Sequence, residues 1–297
     1  MKRPVNLTPA QLRRLPLPAL DDSGDKETRG RVLVAGGSTE NPGGLLLAAE
    51  AAIRAGAGKL QLATADSVAA AVAIAVPEAR VFAFAAAGSE GVDPGAAKKL
   101  AERADRVDAL LIGPGLVDED AAGRLAQGVL KRIEKPAVVL DAGGLAALRR
   151  DPRALAHLEG RAVLTPHAGE MAQLLGVERD EVEADPEAAA RRAAEAFGAV
   201  VALKGSETVI VAPDRRACRY TRGGVGLGTS GSGDVLAGLV VGLLARGADP
   251  LRAAAWGVFL HGEAGNALAR RHGTVGFLAR EIPAEVPRIL HRATETG

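Results

Sequence analysis

Seven short runs, RVLVAGG, GKLQLAT, ARVFAFA, DALLIGPG, AVVLDAGG, AVLTPHAGE and AVVALKG, are apolar almost throughout and recur between Ala-rich stretches of helical periodicity. A strand that is apolar at every position has no face to give to water and must be covered on both sides. The pattern predicts parallel strands joined by crossover helices: an α/β fold, with a mostly parallel central sheet between two helical layers. After AVVALKG the rhythm changes. ETVIVAPD and RACRYTR are separated only by a short turn at Asp214, which predicts an antiparallel edge, and only helices follow. The charged segment VERDEVEADPEAAARRAAEAF keeps a helical period and reads as a solvated helix face. With no long polar linker and no internal repeat, the expectation is one domain over 1–297, with 1–30 as an N-terminal extension.

Charge narrows the partners. The 37 basic and 36 acidic side chains leave a net charge of +1, too little to hold nucleic acid or an anionic membrane by field alone. No apolar run approaches the ~20 residues of a membrane span. The start, MKRPVNLTPAQLRRLPLP, lacks the apolar core of a signal peptide. Cys218 is the only cysteine, and no Cys/His cluster has zinc-ligand spacing. A cytoplasmic, homo-oligomeric protein acting on small molecules is expected.

Parallel strands present their carboxyl ends at one sheet edge, where ligands bind in open α/β sheets. That edge would gather GGSTENPGG (36–44), GPG (113–115), DAGG (141–144), TPHAGE (165–170) and KGSET (204–208). Any one glycine-rich turn is ordinary turn chemistry. Five converging turns carry more weight.

The segment GTSGSGDVLAG (228–238) sits outside this series, with Asp234 at the head of an apolar helix. It overlaps a formal G-x-G-x-x-G, Gly226 to Gly231, but no second parallel strand follows, so the dinucleotide fingerprint fails on context. No Walker pattern occurs anywhere. What remains is a helix N-terminus whose free N–H groups and dipole attract anions. Asp234 there either caps the helix or acts as a general base beside a transferring phosphoryl group. Gly228, Gly231 and Gly233 favour the second role, because a cap needs no glycine neighbours while bare backbone lets a phosphate approach.

Four other side chains call for a reading, two of them with alternatives. His167 is a strand-end ligand or a hydrogen-bonded structural group. Lys204 meets a phosphate or snorkels at the surface. Glu170 is a first-turn helix carboxylate. His261, inside AAWGVFLHG, reads as a satisfied core histidine.

GSGDVLAG, with TPHAGE, LKGSET, LLIGPGL, VPEARV and VLVAGGSTENPGGLLLAAEAAIRAGAGKLQLAT, resembles the ADP/ATP-dependent NAD(P)H-hydrate dehydratases of the ribokinase-like superfamily. The resemblance runs in order from about Arg31 to the last helices. It implies a ribokinase-like three-layer α/β/α sandwich and a repair enzyme that uses ADP or ATP, with Mg2+, to return the S form of hydrated NADH or NADPH to the reduced cofactor. It further implies that Gly44, Gly113, Gly115, His167 and Asp234 contact the hydrated dinucleotide. Lys204, Gly205, Ser206, Glu207, Thr208, Gly231, Ser232 and Gly233 would contact the adenine nucleotide. A small-molecule kinase of the same superfamily and a non-catalytic nucleotide-binding paralogue are the alternatives. Departures from the family pattern fall at Asn41–Pro42, where an aromatic residue is usual, at Gly143 and Asn266, where an aspartate is usual, and at Arg280–Glu281. They bear on metal binding and substrate recognition. Many relatives carry an epimerase domain ahead of this one; here fewer than ~35 residues precede the first predicted strand, so an epimerase is expected as a separate chain.

Overall fold

The computed structural model describes residues 4–19, 28–86 and 91–295. The strands are β1 (Val5–Asn6), β2 (Arg31–Ala35), β3 (Lys59–Ala65), β4 (Ala79–Phe84), β5 (Ala109–Ile112), β6 (Ala137–Leu140), β7 (Ala162–Leu164), β8 (Val200–Leu203), β9 (Thr208–Val211) and β10 (Ala217–Tyr220). Among the described residues they form one ten-stranded sheet in the order β1-β10-β9-β8-β7-β6-β5-β2-β3-β4. The seven apolar runs are β2 to β8, all paired in parallel. β9 is antiparallel to β10, as the Asp214 turn predicts, and is antiparallel to β8 as well. One strand has no sequence signal: β1, two exposed residues long, adds in parallel to the outer side of β10.

The helices are α1 (Pro9–Leu12), α2 (Gly43–Arg54), α3 (Asp66–Ala75), α4 (Ala97–Ala104), α5 (Glu119–Leu130), α6 (Ala146–Arg150), α7 (Ala168–Leu175), α8 (Arg179–Ala184), α9 (Pro186–Phe197), α10 (Ser232–Ala245), α11 (Pro250–His272) and α12 (Ile282–Glu295). The charged stretch 177–197 is two helices rather than one, broken at Asp185, whose carboxylate caps α9. Strand residues feed two cores in alternation. Val32, Val34, Leu60, Leu62 and Leu111 face the layer of α2, α3, α10, α11 and α12. Leu33, Ala35, Leu110, Ile112, Val138 and Leu140 face the layer of α4 to α9. The result is a three-layer α/β/α sandwich. The leading residues pack against the first of these layers: Leu7 and Leu12 are buried, and Trp256 Nε1 donates to Leu15 O at 2.7 Å.

α10 positions the site. From Val235 to Ala245 every residue is buried, so the helix has no solvent face. It lies on α2 at backbone contact: a Cβ on Gly238 would stand 2.3 Å from Ala48 O, and one on Gly242 2.4 Å from Ala52 O. Each buried Leu or Val favours the fold by about 1.5–3 kcal/mol. The core therefore fixes the first turn of α10 and the Asp234 it carries.

Candidate active site

The strand order reverses between β2 and β5, because the chain builds β3 and β4 on one side of β2 and β5, β6 and β7 on the other. Crevices at such switch points are the ligand sites of open parallel sheets. The 36–44 and 113–115 turns close on each other there, with Gly37 N donating to Pro114 O at 2.7 Å. Gly44 faces both the partner turn and the acid: a Cβ on it would stand 2.6 Å from Gly115 N and 3.0 Å from Asp234 Oδ1. Gly113 and Gly115 adopt φ of +137° and +71°, and a Cβ on either would meet a carbonyl, Asp141 O at 1.7 Å and Asn41 O at 2.3 Å. These glycines are required by backbone approach whatever binds beside them.

Four charged groups converge next to this crevice. Asp141, at the end of β6, is 2% exposed and accepts from Thr165 Oγ1 at 2.8 Å and from Lys204 Nζ at 2.9 Å. Glu170 Oε2 lies 4.0 Å from the same ammonium. For Lys204, burial works against the charged form, but Asp141, Glu170 and Asp234 outweigh it and hold the ammonium above its ordinary range. Asp234 is partly buried; desolvation first, then Asp141, push its carboxyl up to about 7, with Lys204 opposing. A carboxyl at that value ionises near neutrality. Such a group can hold or release a proton in a working cycle.

Beside Ser232 and Gly233, which precede Asp234 on α10, opens a cavity of about 630 Å3. Its wall includes His167, Lys204, Gly205, Ser206, Thr208, Ser232 and Gly233, so the KGSET and GSGD turns face one space. Two expected nucleotide residues do not line it. Glu207 is exposed and pairs with Arg219 at 3.7 Å. Gly231 takes φ +86°, and a Cβ there would strike Leu47 Cδ1 at 2.3 Å, which explains the glycine by conformation and packing. His167 caps α7: its Nδ1 accepts from Gly169 N at 3.0 Å and Glu170 N at 3.2 Å, while Glu170 Oε2 accepts from His167 N at 2.7 Å. That capping box fixes the ring beside Lys204, with Nε2 3.6 Å from Glu170 Oε1 and the side chain largely exposed.

Sequence reasoning missed two wall residues. Tyr220 OH donates to Glu263 at 2.8 Å and accepts from Asn266 Nδ2 at 3.2 Å. Asn266 Nδ2 also donates to Arg222 O at 3.0 Å, so this departure from the family pattern ties α11 to the loop after β10. His261 is hydrogen-bonded to Ser232, as a satisfied histidine should be, and it too faces the cavity. The spacing of Tyr220 and His261 on their elements gave no signal for this placement. Gly143 is buried against Ala122 and Leu116, so a carboxylate could not be accommodated there without rearrangement. Arg280 is exposed.

A second cavity, of about 610 Å3, lies at the far sheet end among Leu7, Arg14, Leu15, Arg215 and Cys218. Burial holds the Cys218 thiol up at about 12, so no thiolate is available there near neutral pH. Among the described residues no three His, Cys, Asp or Glu side chains are arranged to hold a metal ion, and no helix is long and apolar enough to cross a membrane.

The chain is similar to known proteins over nearly its whole length. A family model described as NAD(P)H-hydrate dehydratase matches residues 32–288. The chain is 51% identical over 290 residues to the ADP-dependent (S)-NAD(P)H-hydrate dehydratase of Xanthomonas campestris, covering 96% of each protein. It is 39% identical over 282 residues to the bifunctional NAD(P)H-hydrate repair enzyme of Moorella thermoacetica, covering 95% of this chain and 53% of that one. A crystal structure of the ADP/ATP-dependent NAD(P)H-hydrate dehydratase from Bacillus subtilis, co-crystallised with ATP and Mg2+, superposes with a TM-score of 0.82 at 29% identity, covering 99% of this chain and 100% of that one.

Proposed function

The chain belongs to the NAD(P)H-hydrate dehydratase family, and on that ground we propose that it repairs nicotinamide cofactors, using ADP or ATP to return (6S)-hydrated NADH or NADPH to the reduced form. The observation that carries the reading is Asp234: a carboxyl held up at about 7, against Gly44 of the glycine-lined crevice and within electrostatic reach of Lys204 in the cavity wall. The hydrated nicotinamide takes the crevice and the adenine nucleotide the cavity. Asp234 accepts the proton of the ring hydroxyl as its oxygen attacks the terminal phosphorus. The first N–H groups of α10 and the Lys204 ammonium meet the charge on the transferring phosphoryl group. The nucleotide leaves one phosphate shorter, and loss of phosphate and a ring proton from the ester restores the double bond.

Mg2+ supplies charge neutralisation at the phosphates when bound. Asp141, Glu170 and Asp234 surround Lys204 rather than a cage of their own, which suits an ion held mainly by nucleotide oxygens and water. One domain over 1–297 and a cytoplasmic homo-oligomer complete the proposal. Return of reduced-nicotinamide absorbance from purified hydrate, with ADP, with ATP and without nucleotide, tests it. Silence in all three would overturn it, and a stable phosphorylated product would favour a kinase.

A further inference from the structure

Among the cavity groups to which the mechanism above gives no work is the His261 ring on α11. Its Nε2 lies 3.0 Å from Ser232 O and 2.9 Å from Ser232 Oγ. A carbonyl oxygen can only accept, so the ring nitrogen facing it must carry the hydrogen. Burial first, then the neighbouring Lys204, hold the imidazole down at about 4, so it is neutral and this is its one proton. The hydroxyl oxygen of Ser232 therefore shares that hydrogen as an acceptor and cannot direct its own hydrogen back at His261. Ser232 is 4% exposed, and Oγ has no other partner among the described residues. Its O–H is thus an unspent donor at the first residue of α10, in the wall of the nucleotide cavity.

We propose that His261 is a positioning residue: by occupying Ser232 O and Oγ from behind, it sets the Ser232 hydroxyl as a donor to a phosphate oxygen of the adenine nucleotide. The inference rests on the nucleotide half of the proposed function. Lys204 Nζ approaches the same place, 3.3 Å from where a Gly233 Cβ would stand, so the hydroxyl, the α10 N–H groups and the ammonium converge on one anion. Without the imidazole the hydroxyl is free to turn, and the Ser232 carbonyl is left with its helical hydrogen bond alone.

The test is a double-mutant cycle read on ADP affinity by calorimetry, with thermal melting as the control for folding. A donor hydrogen bond to a phosphate is worth about tenfold in affinity or more, so Ser232→Ala should weaken ADP binding at least about tenfold. His261→Leu should weaken it by a similar factor and leave the KM for the hydrate unchanged. In the Ser232→Ala background the second change should cost almost nothing further, because the group it positions is gone. Gln can place an amide N–H near the imidazole Nε2, so His261→Gln should recover most of the lost affinity. Multiplying losses, or a His261→Gln protein no better than His261→Leu at equal melting temperature, would overturn the proposal. Because the cycle is read on binding, a protein that binds ADP yet fails to convert the hydrate would count against the functional reading alone.

Discussion

Replacing Asp234 by Asn tests both the base and the energetics that prepare it. The carboxyl is held up from 3.8 to about 7 in the fold. Between those values the native state binds a proton that the unfolded chain has lost, so this group's contribution to stability falls as pH rises and levels off above about 7. At about 1.4 kcal/mol per pH unit the loss is at most ~4 kcal/mol, and the side chain's partial exposure reduces it to about 2. Asn carries no such charge, and because the N-cap of α10 is Gly231 and Asp234 is the third residue of the helix, the change removes no side-chain cap. Near pH 4 the two proteins should be about equally stable, and at pH 8 the variant should be the more stable by roughly 2 kcal/mol, or about 3 °C in melting temperature. Turnover should fall by about 10²–10⁴, while ADP affinity holds or rises once a negative charge beside the phosphates is removed. Denaturant unfolding at several pH values, calorimetry and hydrate turnover on one variant give the three readings. Parallel stability curves would refute the raised carboxyl, and near-normal turnover in a folded variant would refute the base.

Lys204→Ala leaves the buried Asp141 with only the Thr165 hydroxyl, so unfolding should show a loss of about 3–5 kcal/mol, together with weaker ADP binding by calorimetry. In Gly44→Ala the new methyl meets Gly115 N and Asp234 Oδ1, so kcat should drop while ADP affinity, measured separately, changes little. Gly238→Ala inserts a methyl 2.3 Å from Ala48 O and should cost about 1–3 kcal/mol or more in denaturant unfolding. In the wild type, kcat/KM for the hydrate should climb as pH rises through about 7, since only the ionised carboxylate accepts a proton; a flat profile from pH 6 to 8 would contradict this.

The sheet was legible because β2, β3 and β5 to β8 are largely buried and carry little polar alternation to confuse with helix, whereas β4, the outer strand, is mostly open to solvent and was read only from its apolar run. β1 was not, since two exposed residues held by β10 contain no pattern of their own. The break between α8 and α9 was written in Asp185–Pro186, yet the charge periodicity on either side masks it. At the site, Asp234 and Lys204 could be singled out from their glycine contexts. Their coupling through Asp141 could not: that ion pair spans 63 positions and depends on β6, β7 and β8 lying side by side. His167 and Glu170 show the reverse, a local pair whose spacing of three encodes the capping box and whose place beside Lys204 comes only from the parallel bridge between His167 and Lys204. Glu207 and Gly231 fall inside recognisable motifs, but a strand edge turns one outward and a left-handed backbone packs the other on Leu47.

The central claim is that the nucleotide's terminal phosphate passes through the hydroxyl of the hydrated cofactor. Single-turnover reactions with ADP and purified hydrate, quenched and quantified for reduced cofactor, AMP and inorganic phosphate, address it directly. The account predicts that the three appear in equal amounts and that none forms when either ADP or hydrate is left out. Reduced cofactor appearing without AMP, or AMP accumulating beside a phosphorylated cofactor that never eliminates, would contradict it.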